Sequence, residues 1–333
     1  MERNVLVDKL KGYACFLVLF GHVIMGIRLS GVSVPFFFEG MEQFIWSFHV
    51  GLFMFLSGVV YTMTNAWKGK SSKGKFLLYK LCSLGVPYVT FSAVYILINS
   101  FVGQVNTQSS VWDILYIWKT PVAQYWFLYA LFFLFCIWTV FNGVVKNWII
   151  TVVAVAVGYI LPLCGITLGS FDVVFYMALA FGVGTFVPFE KLTKLPAVAK
   201  WLVVAAHLAI GALLVVFSKI EQPFFKEVMM LFGIYAAVLF ISLLQNCKLT
   251  ARFLLFMNKY SFQIYLLHTI FTAGIRIVLL RLQVTQWWIH VVVGTVGGIL
   301  FSVLAAIIAK KVKFLNFFFF PTKAFKKNKK APT

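Results

Sequence analysis

Apolar residues gather along the chain into ten stretches separated by short polar gaps. They fall at about 12–30, 43–64, 79–101, 124–144, 148–166, 170–189, 201–218, 227–245, 261–280 and 287–309. Most approach about 20 residues, the length of α-helix that crosses a hydrocarbon layer about 30 Å thick. A membrane barrel strand needs only about 10. The pattern predicts an all-α, polytopic membrane protein of about ten transmembrane helices, forming one domain over residues 1–309. A basic cytoplasmic tail follows over 310–333. The division between the fifth and sixth runs, at Leu163 to Phe171, is the least marked. No internal repeat or low-complexity linker interrupts the series.

The gaps orient the bundle. With the amino terminus inside, inner segments hold 23 of the 29 Lys and Arg residues, including Arg3, Lys70 and the tail from Lys310 to Lys330. Only Arg28, Lys119, Lys219, Lys226, Arg276 and Arg281 fall outside. An excess of basic residues in cytoplasmic loops sets the orientation of helical membrane proteins. Both termini are therefore expected in the cytoplasm, and an odd number of runs would break the alternation.

Composition agrees: 62% of residues are hydrophobic and 11% charged. A soluble fold cannot cover itself with so little charge, whereas lipid solvates apolar side chains. The net charge of +20 suggests nucleic acid at first sight. Its placement in the gaps between apolar runs argues against that partner, because no basic stripe forms on one face. Five scattered cysteines (Cys15, Cys82, Cys136, Cys164, Cys247) show no CxxC or metal-like spacing and read as packing residues. The first apolar run follows Arg3, Lys9 and Lys11 like a signal peptide but lacks a small-x-small cleavage site, so its retention is expected. In the tail, Phe317 to Phe320 precede Lys323, Lys326, Lys327, Lys329 and Lys330, a pattern suited to an anionic inner leaflet or to a solvated end.

Ionisable residues inside apolar runs are costly unless they face protein or a water-filled interior. His22 lies in the first run, with Asp8 and Lys11 near its start. Eleven residues at about 100° each bring Lys11 and His22 onto one helical face, about 16 Å apart along the axis. Asp8, three residues before Lys11, is within reach of it. His22 reads equally as the wall of a polar cavity or as a packing imidazole bonded to a neighbouring carbonyl. His49 opens the second run near its outer end, followed by Ser57 and Gly58, small residues that allow close helix approach. His268 lies in the ninth run, three residues after Tyr265 and on the same face. His207 and His290 stand among apolar neighbours without a polar companion and read as packing residues.

Five short motifs then occur in a recognisable order. Asp8-Lys9-Leu10-Lys11-Gly12 leads to Phe20-Gly21-His22, with ten residues between Lys11 and His22. Phe48-His49 and Phe53-Met54-Phe55-Leu56-Ser57-Gly58 follow, then Val86-Pro87-Tyr88 after Lys80. Tyr125-Trp126-Phe127-Leu128 opens the fourth run, and Ile264-Tyr265-Leu266-Leu267-His268 lies in the ninth. Together they resemble the acyltransferase-3 family of membrane O-acyltransferases over nearly the whole chain. The Lys-Gly form resembles its fucose 4-O-acetylase branch. There are departures: lysine stands where arginine is commoner and lacks the planar fork that grips phosphate. Val50-Gly51 replaces a Met-Pro pair, and Lys80 with Ser83 stands where paired arginines are usual.

The resemblance implies an acyl-CoA donor, most often acetyl-CoA, and a sugar hydroxyl as acceptor. That acceptor would belong to an envelope or exported polysaccharide or its lipid-linked precursor, at a bacterial plasma membrane. No metal is expected. A sugar hydroxyl is a poor nucleophile while protonated, and an unperturbed histidine titrates nearest neutral pH. His22 is thus the expected base, with Lys11, Lys75 and Lys80 holding CoA phosphates as point charges. Asp8, His49, Ser57, Trp126, Tyr265 and His268 are candidates for substrate contact, with His49 and His268 toward the outer side. A transporter or flippase would also need ten or so helices and buried polar residues. A glycan polymerase would be expected to carry a larger outer loop than 102–123.

Overall fold

The computed structural model describes residues 4–65, 67–68, 73–102, 109–217 and 223–322. Arg3, Lys70, Lys219 and the basic cluster Lys323 to Lys330 lie outside them. Among the described residues the chain is helical and no strand forms. Ten helices occupy the ten apolar runs in order: α1 Val5–Arg28, α2 Phe37–Thr64, α3 Lys73–Phe101, α4 Trp126–Phe141, α5 Asn147–Leu163, α6 Asp172–Phe186, α7 Ala197–Phe217, α8 Pro223–Leu243, α9 Lys248–Arg281 and α10 Trp287–Lys311. A short α11, Lys313–Phe319, follows. Eight of the ten are long and apolar enough to cross a membrane. The remaining apolar stretches, Asn147–Leu163 and Ala197–Leu213, are shorter.

The break between α5 and α6 falls within Leu163 to Phe171, where Gly165 and Gly169 adopt φ of 74° and 61°. This left-handed backbone is open to glycine at little cost. Two helices begin well before their apolar runs. In α1 the Asn4 side chain caps the first turn by accepting from the Val7 N–H at 3.1 Å. In α9 the segment ahead of residue 261 is amphipathic: Leu254, Met257 and Tyr260 are buried, while Lys248 and Leu249 are exposed. α3 contains a π-helical turn, Leu81–Gly85. Pro87 follows it, a residue whose ring opposes the carbonyl four positions back and so disfavours regular α geometry.

The chain divides into two compact units, residues 1–64 with 179–302 and residues 65–178 with 303–333, the divisions falling within α6 and α10. In the first, α1 and α9 run parallel. A Cβ at Gly12 would overlap the Leu254 carbonyl, Cys15 Sγ donates to Ser261 O at 3.7 Å, and a Cβ at Gly26 would overlap the Arg276 guanidinium. Main chains approach this closely only where side chains are absent. α1 and α2 form an antiparallel hairpin closed by a bidentate Arg28–Glu42 pair, with Nε–Oε2 at 2.7 Å and Nη2–Oε1 at 3.3 Å. α2 meets α6 at a reciprocal glycine contact, Gly58 on Phe181 O and Gly184 on Phe55 O. α10 closes on α1 and α9 through Gly294 beside Val23 and Gly298 beside Leu19 and Thr272.

In the second unit, Lys73 Nζ donates to the last carbonyls around α4, Val140 O at 2.9 Å and Asn142 O at 2.8 Å. A cation at a helix carboxyl end is favourable. Phe319 of α11 is buried against Phe91 of α3, ring centroids 4.9 Å apart, whereas Phe314 and Phe317 are exposed. The aromatic run expected on a leaflet is thus partly taken into this core.

Candidate active site

Three imidazoles carried by separate helices come together in the first unit. His22 of α1 and His268 of α9 face each other with ring centroids 5.0 Å apart. Trp46 of α2 stands edge-on to His22 at 5.0 Å and to His49 at 4.9 Å, linking the third histidine to the pair. His49 and His268 are buried and His22 is half-buried. His49 was expected near the outer end of its helix. Because α2 begins at Phe37, it stands mid-helix instead, level with His22.

Backbone carbonyls fix the protons. His268 Nδ1 lies 2.9 Å from both Ile264 O and Tyr265 O, and His49 Nδ1 lies 2.7 Å from Ile45 O. A carbonyl oxygen only accepts, so in each ring Nδ1 carries the hydrogen and donates, leaving Nε2 with a lone pair. His268 Nε2 is buried with no hydrogen-bond partner among the described residues. The site therefore offers unprotonated imidazole nitrogens, as a general base requires.

The other expected residues are distributed as follows. Lys11 is half-buried near the start of α1, with Asp8 one turn earlier. Its neighbour Lys9 is buried, and Lys9 Nζ donates to Gln245 O at 2.9 Å just beyond the end of α8. Ser57 Oγ donates to Phe53 O at 2.8 Å and stands eight residues, about 12 Å, beyond His49 along α2. Tyr265 is buried with its ring 6.4 Å from His268. Lys75, Lys80 and Trp126 belong to the second unit: Lys75 is exposed on α3, Lys80 Nζ lies 3.7 Å from the Phe135 ring centroid, and Trp126 opens α4 beside Phe127. Among the described residues no group of three or more His, Cys, Asp or Glu has a metal-binding arrangement.

One expectation is corrected. His290 does have polar company: its Nε2 donates to Val284 O at 2.8 Å, and it lines a small cavity with Arg276 and Thr272. The residues come together only when α9 and α10 pack, which spacing along the chain does not reveal. His207 does lie among apolar rings, Phe44 at 4.7 Å, Phe48 at 5.1 Å and Phe232 at 5.5 Å. Trp46 was also missed, although it precedes His49 by three residues and so shares its helical face.

An acyltransferase-domain family model covers residues 4–307. No curated protein and no solved structure matches the chain. A match over nearly the whole length, on an all-helical chain rich in membrane-length helices, is sufficient to assign it: the protein belongs to the acyltransferase-3 family of membrane acyltransferases.

Proposed function

We propose that the protein moves an acetyl group from cytoplasmic acetyl-CoA to a sugar hydroxyl of an envelope or exported glycan, or its lipid-linked precursor, with His22 as general base. The observation that carries the reading is the half-buried His22 ring, 5.0 Å from His268 and six residues before the last residue of α1. His22 takes the proton as the hydroxyl oxygen attacks the thioester carbonyl. The C–S bond breaks, the ester forms, and the proton leaves on the CoA thiol. His268, its Nδ1 hydrogen held by two carbonyls, turns Nε2 toward sharing the imidazolium charge that develops.

The CoA nucleotide would remain at the Lys11 end, taken as cytoplasmic from the distribution of basic residues. Lys11, with Lys75 and Lys80 as further candidates, would meet its phosphates. The pantetheine arm would bridge part of the roughly 16 Å to His22. Asp8, His49, Ser57, Trp126, Tyr265 and His268 remain candidates for substrate contact. Ten crossings, cytoplasmic termini, a bacterial plasma membrane and the fucose 4-O-acetylase branch complete the proposal. The family match weighs against the transporter reading, since a carrier has no need to consume acetyl-CoA.

The test is acetyl transfer in deletion, wild-type and His22→Ala cells, with O-acetyl groups on isolated envelope glycan read by NMR. Loss of the signal in both mutants, with the variant protein still in the membrane, is expected. A fully acetylated glycan in His22→Ala cells would remove the base assignment.

A further inference from the structure

The start of α9 carries two exposed stripes of different chemistry. Lys248, Arg252 and Lys259 are exposed and follow one another at four and seven residues. At about 100° per residue, that spacing sets them within about 40° of one another around the helix. Leu249, Phe253 and Phe256, exposed by 79%, 39% and 42%, form a second stripe about 90° further round. The buried Leu254 and Met257 lie on the side opposite the cations. Leu254 holds the segment to α1, its carbonyl against Gly12.

The apolar stripe continues onto α1. Phe253 stands edge-on to Phe16 at 5.6 Å, and Phe16 stacks on Phe20 at 5.6 Å. Both α1 rings are half-buried, so each keeps an open side. From the level of Gly12, beside Leu254, to Phe20 is eight residues, about 12 Å. One leaflet holds about 15 Å of hydrocarbon, half of the roughly 30 Å core. The cations stand at the foot of this strip. Because Cα–Cβ bonds lean toward the amino end of a helix, Lys259, about 10 Å further along than Arg252, leans back toward the same membrane surface.

We propose that this strip binds one anionic phospholipid, its phosphodiester at Lys248 and Arg252 and an acyl chain along Phe253, Phe16 and Phe20. Cations at a membrane surface attract headgroups of net negative charge, and an exposed apolar patch beside them calls for an apolar cover. A free phosphate or a nucleotide would meet the cations alone and leave the aromatic strip uncovered. A phospholipid satisfies both stripes at once. His22 lies two residues beyond Phe20, on the opposite side of α1, so the lipid and the imidazole pair occupy different faces.

The test uses the full chain in detergent, with bound lipid read by native mass spectrometry. Dioleoyl phosphatidylglycerol should bind more tightly than dioleoyl phosphatidylcholine. Lys248→Gln with Arg252→Gln should weaken the anionic lipid about tenfold to 30-fold. Lys191→Gln with Lys194→Gln removes equal charge from another exposed segment and should leave binding unchanged. Phe253→Ala should weaken both lipids alike. Should the double variant at α9 misfold, Arg252→Gln alone should lose about threefold to fivefold. Equal binding of the two lipids by wild type, or unchanged binding in an α9 variant that melts like wild type, would overturn the site. Displacement of phosphatidylglycerol by inorganic phosphate or acetyl-CoA would overturn the lipid as occupant and mark a soluble phosphate site instead.

Discussion

His22 and His268, carried by helices far apart in sequence, meet ring to ring at 5.0 Å. Because two carbonyls hold the Nδ1 hydrogen of His268, the two rings are not interchangeable. Removing His22 deletes the proposed base, and acetyl transfer by purified protein should fall about 100-fold to 10,000-fold. His268→Phe keeps the ring and loses the nitrogens. Its kcat/KM should fall by about tenfold to 100-fold, the range for a hydrogen bond to a charged group. Equal losses in the two variants would mean that the rings act as one unit.

Lys9 and Lys11 should separate cleanly. Lys9 is buried and holds Gln245 O, so Lys9→Met should cost about 1 kcal/mol of stability in thermal melting. Lys11→Met should melt like wild type and raise the KM for acetyl-CoA. A raised KM in Lys9→Met alone would reassign the phosphate contact.

Glycine contacts make a graded series. A Cβ at Gly12 meets the Leu254 carbonyl and one at Gly58 meets the Phe181 carbonyl, whereas one at Gly274 meets nothing within 4 Å. Gly12→Ala and Gly58→Ala should each destabilise by about 1–3 kcal/mol through overpacking. Gly274→Ala should be neutral or stabilise by up to about 1 kcal/mol, as alanine replaces glycine within a helix. Melting temperatures in one detergent check the order.

Two exposed thiols report on topology. Cys164 follows α5 and Cys247 precedes α9. The proposed orientation places Cys164 outside and Cys247 inside. Thr250, whose hydroxyl lies 3.2 Å from Cys247 Sγ, and backbone N–H groups at the start of α9 hold the Cys247 thiol below its ordinary pKa. A lowered pKa means more thiolate at a given pH, so its labelling should extend to lower pH than for a free thiol. A membrane-impermeant maleimide on intact cells should label Cys164, with Cys247 appearing only after permeabilisation. The reverse order would invert the topology.

Hydropathy located α1 to α10 because lipid selects for apolar length directly. It placed the start of α9 late, since Lys248, Arg252 and Lys259 lower the local average while Leu254 and Met257 on the same segment are buried. The Lys11–His22 spacing was legible because both residues belong to one helix. The meeting of His22 with His268 was not, because it depends on which helices touch. That choice is made by main-chain contacts at Gly12 and by the Cys15–Ser261 bond, features without a periodic signature. His290 was misread for the same reason: its companions, Arg276 and Thr272, lie on another helix.

The contact of Gly12 with Leu254 also governs how the imidazole pair can move. Parallel helices touching main chain to main chain cannot slide past one another there without collision, but they can rotate about the contact as about a pivot. His22 lies ten residues further along α1, a lever arm of about 15 Å. A tilt of roughly 4° on that arm would change the gap between the rings by about 1 Å. The further contacts of the same helix pair, Cys15 with Ser261 and Gly26 with Arg276, lie on either side of His22 and limit that tilt, so the gap between the two imidazoles is held within narrow bounds.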